Sequence, residues 1–296
     1  MQRPTLAGGL MVLVNLGFLV GGALLLKFVY QLDSTGWTDA LQDTDYASAA
    51  DSATTAVKVL GFGAVFLAVL GCVGAVLQNR LLLLIYAVVM IVAMSAFGVV
   101  GGTAFSYKAK LADWEAATYP AEDQEQVLAE TFSEVYCYAE GYYYCNNATA
   151  SEAFQIFVPS APAAVLALLP NVTGIASLCD EYESVVDGMD SVCEACNAST
   201  KFAKYDKILT WAESKCPRTN TTSLWCASFL AGTTDSDTYT GSPYEQCRTI
   251  FLDVAIGWSK SMAVMGLLVA VFAALIVALS CFARRGKAAR RSSFKP

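Results

Sequence analysis

Four stretches of this chain are long and apolar enough to cross a lipid bilayer, and they constrain its fold more than any other feature. A spanning helix needs about 20 mostly apolar residues. The first stretch exceeds the roughly 7–15 apolar residues of a secretory signal, so we interpret it as an uncleaved span. Since only 15% of the residues are charged, against about 25% in soluble domains, we predict an integral membrane protein. The four stretches run from about Leu6 to Leu26, Ala56 to Leu77, Leu81 to Phe105 and Ser261 to Phe282.

The distribution of charge predicts the orientation of these spans. The segments 1–5, 78–80 and 283–296 share one side of the membrane and carry only basic charges. The opposite side carries every acidic residue, including five Asp in the 31–55 loop and 21 acidic against 8 basic residues in 107–256. Because Lys and Arg accumulate in cytoplasmic loops, both termini are predicted to be cytoplasmic. Three lysines then lie at the outer helix ends, where their ammonium groups reach the interface: Lys27, Lys58 and Lys260.

This topology divides the chain into six segments. Residues 1–30 form the cytoplasmic N-terminus and transmembrane helix 1, and 31–55 form a small extracellular loop. Residues 56–106 hold transmembrane helices 2 and 3 with a short cytoplasmic turn. Residues 107–256 form a large extracellular loop, 257–283 form transmembrane helix 4, and 284–296 form a basic cytoplasmic tail. The membrane itself is predicted to be the plasma membrane or an endomembrane.

Cysteines and glycosylation motifs are concentrated in the 107–256 loop. An even number of cysteines on an extracytoplasmic face predicts a disulfide framework, and eight cysteines can pair in 105 ways that the sequence leaves open. The loop also contains four N-x-S/T motifs, which are acceptors for N-glycans in secreted segments. The cysteines are Cys137, Cys145, Cys179, Cys193, Cys196, Cys216, Cys226 and Cys247, and the acceptor residues are Asn147, Asn171, Asn197 and Asn220.

The periodicity of the large loop indicates helices rather than strands. The third span is expected to continue as a helix to Trp114, and a second helix is expected from Ala121, with Pro120 at its start and Gly141 at its end. Further helices are predicted around 180–195 and 201–214, the Ser- and Thr-rich stretch 219–243 is predicted to be a loop, and 249–260 extends the fourth span. The predicted fold is therefore an all-α, four-helix membrane bundle with a disulfide-rich, mainly helical loop between helices 3 and 4.

Several functions are excluded by what the chain lacks. It contains no histidine, which excludes histidine-based triads and the usual catalytic zinc sites. Its net charge of −7 argues against nucleic acid as a partner, since phosphate binding requires a basic face. The spans carry no series of ionisable residues that would mark a transport path. No enzymatic activity and no cofactor are predicted.

The junction of the second and third spans carries a family resemblance. Its sequence, Gly71-Cys72-Val73-Gly74-Ala75-Val76-Leu77-Gln78-Asn79-Arg80 followed by a Leu-rich run to Tyr86, is similar to the G-C-x-G-A motif, short polar turn and Leu-rich segment of tetraspanins. Asn15 resembles the polar residue of the family's first span, and Cys281 with Arg284 and Arg285 resembles its juxtamembrane end. The large loop lacks the family's Cys-Cys-Gly motif, so the resemblance is to a divergent member.

Four residues carry hypotheses about the membrane and the tail. Asn15 is costly in lipid: it either forms a helix–helix hydrogen bond or, by the resemblance, lines a cavity for a sterol. Cys72 and Cys281 are candidates for S-palmitoylation, with a buried thiol as the alternative. Ser293 follows two arginines and resembles a kinase site, where a phosphate would weaken the tail's attraction to the membrane.

Small residues in the spans offer a further interpretation. Pairs such as Gly17 and Gly21, or Gly98 and Gly102, have the spacing at which helix backbones approach closely. They serve either packing inside the bundle or contact with another protein, and the second use is most attractive for Gly98 and Gly102.

The resemblance implies a non-enzymatic membrane organiser that binds other membrane proteins laterally. The variable part of its large loop, roughly Cys145–Cys226, would take part in this binding. Tyr142–Tyr144 and Phe154–Leu169 are candidate contacts that are equally well explained as buried core. A second copy of the chain and membrane lipids are further candidate partners. Two alternatives remain open: an obligate subunit of a larger membrane complex, and a thiol–disulfide carrier that would use the C-x-x-C pair Cys193 and Cys196.

Overall fold

The computed structural model describes residues 6–37, 47–77, 80–149, 151–153, 173–177, 179, 193–194, 196–197 and 206–292. Within these ranges the regular elements are helices, and the β-type pairing consists of one isolated bridge between Thr149 and Thr173. The all-α prediction is confirmed. The helices are α1 Leu6–Ser34, α2 Ala47–Leu77, α3 Arg80–Ala116, α4 Asp123–Asn146, α5 Asp206–Lys215, α6 Asn220–Leu230 and α7 Pro243–Ser292.

Four of these helices, α1, α2, α3 and α7, are long and apolar enough to cross a membrane. All four exceed the roughly 20 residues that a bilayer requires. At 1.5 Å per residue, the 37 residues of α3 span about 55 Å, so this helix continues well beyond the hydrocarbon core. The continuation of the third span as far as Trp114 is confirmed.

The chain divides into two compact units. The first, which we call the bundle, contains residues 1–31, 51–111 and 255–296, and thus the membrane-spanning parts of the four long helices. The second, which we call the loop domain, contains residues 32–50 and 112–254. The loop domain combines part of the small predicted loop with nearly all of the large one.

Close approach of helix backbones organises the bundle. A side chain at Gly21 of α1 would place its Cβ 2.6 Å from Val269 Cγ2 of α7, and a Cβ at Gly266 would lie 3.0 Å from the backbone of Gly101 in α3. The first distance is shorter than real Cβ atoms show and the second is tighter than most of them show, so a side chain at either position would force its neighbour to move. Around them lies a buried apolar core that includes Phe18, Phe97, Met90, Val269, Ala273 and Ile276.

An aromatic cluster forms the centre of the loop domain. Trp37, which follows α1, stacks on Phe132 of α4 at a centroid distance of 5.5 Å and meets the edge of Trp211 in α5 at 5.3 Å. Gly36 permits this placement because its φ of +82° lies in the left-handed region that favours glycine. Trp37 is only 7% exposed, so the short loop contributes a core residue to the domain.

Two local predictions about α4 are wrong. The helix begins at Asp123, after the N-cap residue Glu122, rather than at Ala121. It also continues through Gly141 to Asn146. Gly141 lies inside the helix and packs against α6: a Cβ there would lie 2.6 Å from Leu230 Cδ1.

The prediction that 219–243 is a loop is also wrong in part, because α6 occupies residues 220–230. Thr219 caps this helix: its hydroxyl accepts a hydrogen bond from the Thr222 backbone, and the Thr222 hydroxyl accepts one from the Thr219 backbone. This reciprocal arrangement is a capping box in which Thr replaces the usual Glu. The polar residues that suggested a loop therefore start a helix whose Trp225 and Cys226 are buried.

The remaining loop predictions are met only in part. α5, Asp206–Lys215, confirms a helix in the described part of the predicted 201–214 stretch. Residues 201–205 and almost all of 180–195 lie outside the described residues. α7 begins earlier than predicted, at Pro243. Ser242 caps it by accepting a hydrogen bond from the Glu245 backbone at 3.1 Å, and proline is well suited to the first helical position.

Candidate protein-interaction site

All eight cysteines of the loop domain form disulfides. Cys137 on α4 pairs with Cys226 on α6, and Cys216 after α5 pairs with Cys247 on α7. The other two bonds are Cys145–Cys196 and Cys179–Cys193. The bonds thus join α4 to α6 and the end of α5 to α7, and they tie the segment around 179–197 to α4.

The C-x-x-C pair does not close on itself. Cys193 is bonded to Cys179 and Cys196 to Cys145, and both are almost fully buried, at 1% and 3% exposed. A dithiol carrier alternates between two thiols and one disulfide within the same C-x-x-C pair. The observed pairing fits two structural bridges and does not fit that cycle.

A buried ion pair connects three elements of the loop domain. Glu125 on α4 is 0% exposed. Arg248 Nε of α7 donates to Glu125 Oε1 at 2.8 Å, the Tyr244 hydroxyl donates to the same oxygen at 3.1 Å, and the Ala121 backbone donates to Oε2 at 2.7 Å. Arg248 also donates to the carbonyl of Trp114 at the end of α3. Both carboxylate oxygens are satisfied, which is the condition under which a buried pair is stable.

A second carboxylate of α4, Glu140, is less well satisfied. It is 1% exposed, and it accepts a hydrogen bond from the Ser223 hydroxyl of α6 on Oε1. Its Oε2 has no hydrogen-bond partner within the described part of the chain. Burial disfavours the charged form and raises the pKa of Glu140 to about 7, although Ser223 and Arg218 act in the opposite direction.

Arg218 places a partly buried positive charge beside this group. Its guanidinium lies 4.0 Å from the centre of the Tyr143 ring and 5.2 Å from that of Tyr144, within the range of cation–π attraction. It also forms ion pairs with Glu213 and, at 3.6 Å, with Glu152. This cluster joins the end of α4 to the segment between α5 and α6.

The three tyrosines that the sequence suggested as contacts, Tyr142–Tyr144, differ in how deeply they are buried. Tyr144 is buried, at 4% exposed, and belongs to the core. Tyr142 and Tyr143 are half-buried, and the Tyr143 hydroxyl donates to Glu152 Oε1 at 2.9 Å. The other candidate, Phe154–Leu169, lies outside the described residues.

Three of the four glycosylation candidates have exposed side chains: Asn147, Asn197 and Asn220. Asn147 is the C-cap residue of α4, and Asn220 is the first residue of α6. Asn171 lies outside the described residues. Both helix ends thus present their asparagine at the surface of the loop domain.

Inside the bundle, Asn15 takes part in a hydrogen-bond cluster. Its amide donates to the Met11 carbonyl at 2.8 Å, and its Oδ1 accepts a hydrogen bond from the Tyr86 hydroxyl of α3. A Cβ at Gly71 of α2 would overlap both Oδ1 and the Tyr86 hydroxyl. Gly71 therefore makes room for a polar contact between α1 and α3, and Asn15 is fully buried by it. The role of Tyr86 could have been inferred from its position in the motif that begins at Gly71.

Of the three side chains proposed for lipid or phosphate modification, the structure describes one, that of Cys72. Cys72, next to Gly71, is a free thiol and is half-buried. The side chains of Cys281 and Ser293 lie outside what the structure describes. Among the described residues, no group of three or more Cys, Asp or Glu is arranged to hold a metal ion.

Four spanning helices with a disulfide-braced domain between the third and fourth define a class of integral, multi-pass membrane protein. The family model of the tetraspanins matches residues 8–285, nearly the whole chain, and the protein belongs to the tetraspanin family. No curated protein and no solved structure matches it. Tetraspanins are non-enzymatic membrane scaffolds.

Proposed function

We propose that this protein is a membrane organiser that binds partner membrane proteins laterally, through the open face of α3 and through the loop domain. The observation that carries the proposal concerns Gly98 and Gly102. Among the described residues, no heavy atom lies within 4 Å of a Cβ built at either position. Gly17 and Gly21 have the same spacing on α1, and they pack against α7. On α3, Gly98 and Gly102 have no such neighbour among the described residues. A second helix can therefore approach the α3 backbone closely there.

The loop domain supports the same function. Its four disulfides and the buried Glu125–Arg248 pair hold the helices in a fixed arrangement. A rigid surface loses little conformational entropy on binding. In the predicted orientation this surface faces outward, where the exposed Asn147, Asn197 and Asn220 are open to glycosylation.

The proposal includes the modifications and partners that the sequence indicates. Both termini are cytoplasmic, Cys72 and Cys281 carry palmitate, and phosphorylation of Ser293 loosens the basic tail. Partners are other membrane proteins, with a second copy of this chain among them, and surrounding lipids that include a sterol. The membrane is the plasma membrane or an endomembrane.

Two matched glycine substitutions test the lateral contact. Gly102→Leu fills the open face of α3, whereas Gly63→Leu fills an equally open position on α2, because a Cβ at Gly63 also meets no described atom within 4 Å. The tagged proteins are purified in digitonin and the recovered membrane partners are quantified by mass spectrometry. We expect Gly102→Leu to reduce partner recovery at least about 5-fold, equivalent to about 1 kcal/mol, and Gly63→Leu to leave it unchanged. Equal recovery from both variants would contradict a contact on α3.

The obligate-subunit alternative predicts a different result from the same purification. Partners in such a complex would be recovered in one fixed ratio and would survive harsh detergent. The thiol-carrier alternative predicts that a maleimide rapidly labels both Cys193 and Cys196 in the native protein, whereas two buried structural disulfides predict no labelling.

A further inference from the structure

A groove in the bundle runs between α1 and α7, near the ends of their apolar runs that are predicted to face outward. Its volume of about 640 Å³ lies within the range of ligand sites, roughly 300–1,000 Å³. α1 contributes positions 24, 27, 28 and 31, and α7 contributes 257, 260, 261, 264 and 265. On each helix these positions recur every three or four residues, so each helix turns one continuous face toward the groove.

The groove is apolar at one end and positively charged at the other. Leu24, Val264 and Met265 line the part toward the middle of the two apolar runs, and Phe28 lies next to Lys27. Lys27 and Lys260 stand where those runs end, and both side chains are exposed. Among the described residues that line the groove, none is acidic.

The packing of the two helices explains why the groove closes toward the membrane centre. One turn before Leu24, the contact between Gly21 and Val269 brings α1 and α7 close together. On the lysine side, a Cβ built at Gly257 meets no described atom within 4 Å. The groove thus remains unfilled between the two helices where the lysines stand.

We propose that this groove binds an anionic phospholipid, with an acyl chain along the apolar part and the phosphate between Lys27 and Lys260. The charge pattern selects this occupant: two ammonium groups attract an anionic headgroup, and the apolar wall excludes water from the chain beneath it. A neutral sterol would satisfy the wall and leave both lysines without a counter-charge. The site is separate from the Asn15 cluster, whose hydrogen bonds join α1 to α3 beside Gly71 of α2.

The test uses native mass spectrometry of the full-length protein in detergent, titrated with phosphatidylserine or with phosphatidylcholine. We expect one phosphatidylserine to be retained at concentrations at which phosphatidylcholine is lost. Lys27→Gln/Lys260→Gln is expected to weaken phosphatidylserine retention about 30-fold, with each lysine contributing the upper value of an exposed ion pair. The control Lys58→Gln removes a lysine at the corresponding end of α2, outside the groove, and is expected to have no effect.

A second pair of variants tests the shape of the site without changing charge. Gly257→Phe fills the groove and is expected to abolish retention, whereas Gly63→Phe, at an open position on α2, is expected to leave it intact. The proposal is overturned if the double lysine variant retains phosphatidylserine as well as the wild type does. It is equally overturned if Gly257→Phe has no effect, or if the site prefers a neutral sterol over phosphatidylserine.

Discussion

Glu140 makes the stability of the loop domain depend on pH. The carboxyl is 1% exposed, and one of its oxygens has no hydrogen-bond partner in the described chain. Burial raises its pKa in the folded protein from 4.5 to about 7. The folded state therefore binds the proton more tightly than the unfolded state, and the stabilisation is complete below pH 4.5 and lost as the pH rises through about 7.

The size of the effect follows from the same shift. Between pH 7.5 and 5.5 the folded protein takes up most of a proton that the unfolded chain binds only weakly. Linkage then gives a gain of about 2 kcal/mol in the free energy of unfolding. For a domain of this size, a gain of about 2 kcal/mol raises the melting temperature by roughly 4–8 °C.

Glu140→Gln keeps the shape of the side chain and removes the charge. We expect this variant to be more stable than the wild type at pH 7.5 and to lose the gain on acidification. The measurement is thermal unfolding of the full-length protein in detergent, followed by tryptophan fluorescence at pH 7.5, 6.5 and 5.5 with the disulfides intact. Four of the five tryptophans, Trp37, Trp114, Trp211 and Trp225, lie in the loop domain and report on it.

Glu130→Gln is the matched control, because Glu130 lies on the same helix but remains partly exposed. This control is expected to keep the acid stabilisation of the wild type. If Glu140→Gln shows the same dependence of melting temperature on pH as the wild type, the argument from the buried carboxyl is refuted.

Three further predictions concern other contacts. Trp37→Ala removes an aromatic core residue and is expected to destabilise the loop domain by about 3–5 kcal/mol. The same thermal unfolding measures this change. A loss below about 1 kcal/mol would show that the packing of Trp37 on Phe132 is dispensable. Replacing both cysteines of a disulfide by Ser is expected to lower the free energy of unfolding, and more so for a longer loop. The loss is about 4.6 kcal/mol for Cys137–Cys226, which closes 89 residues, and about 3 kcal/mol for Cys179–Cys193, which closes 14. A larger loss for Cys179–Cys193 would contradict the loop-closure argument. Gly71→Ala is expected to cost about 1–3 kcal/mol by overpacking the Asn15–Tyr86 contact, measured by unfolding of the bundle in mixed SDS micelles, and an unchanged bundle would refute the close approach.

The bundle was predictable from the sequence because each span needs only a long apolar run, a local property. The continuation of α3 beyond its apolar run was also predicted, as far as Trp114, and the helix ends two residues later at Ala116. The same holds for disulfide bonding in the loop domain, which follows from cysteine number and location. The pairing did not follow, because it depends on which cysteines the fold brings together.

Contacts between distant residues could not be read from local patterns. Arg248 and Glu125 are 123 residues apart, and neither belongs to a motif. Trp37 lies in a polar loop with no periodicity, yet it reaches the core of the loop domain. The α6 helix was missed because Thr219 and Thr222 favour a loop by composition and favour a helix only as a capping pair.

The proposed interaction site could be predicted from the sequence in one respect. The spacing of Gly98 and Gly102 marked them as a close-approach surface, but only the structure separates that open face from the packed one at Gly17 and Gly21. Tyr142–Tyr144 was ambiguous in sequence because aromatic residues suit both cores and interfaces, and burial assigns Tyr144 to the core.

The lateral-organiser account is tested most directly by the stoichiometry of the wild-type protein's complexes. The tagged protein is purified in parallel in digitonin and in a harsh detergent, and the co-purifying membrane proteins are quantified by mass spectrometry. The account predicts recurrent partners in digitonin, at variable ratios, that are lost in the harsh detergent. Recovery of the protein alone in digitonin, or of a fixed-ratio complex in both detergents, would contradict it.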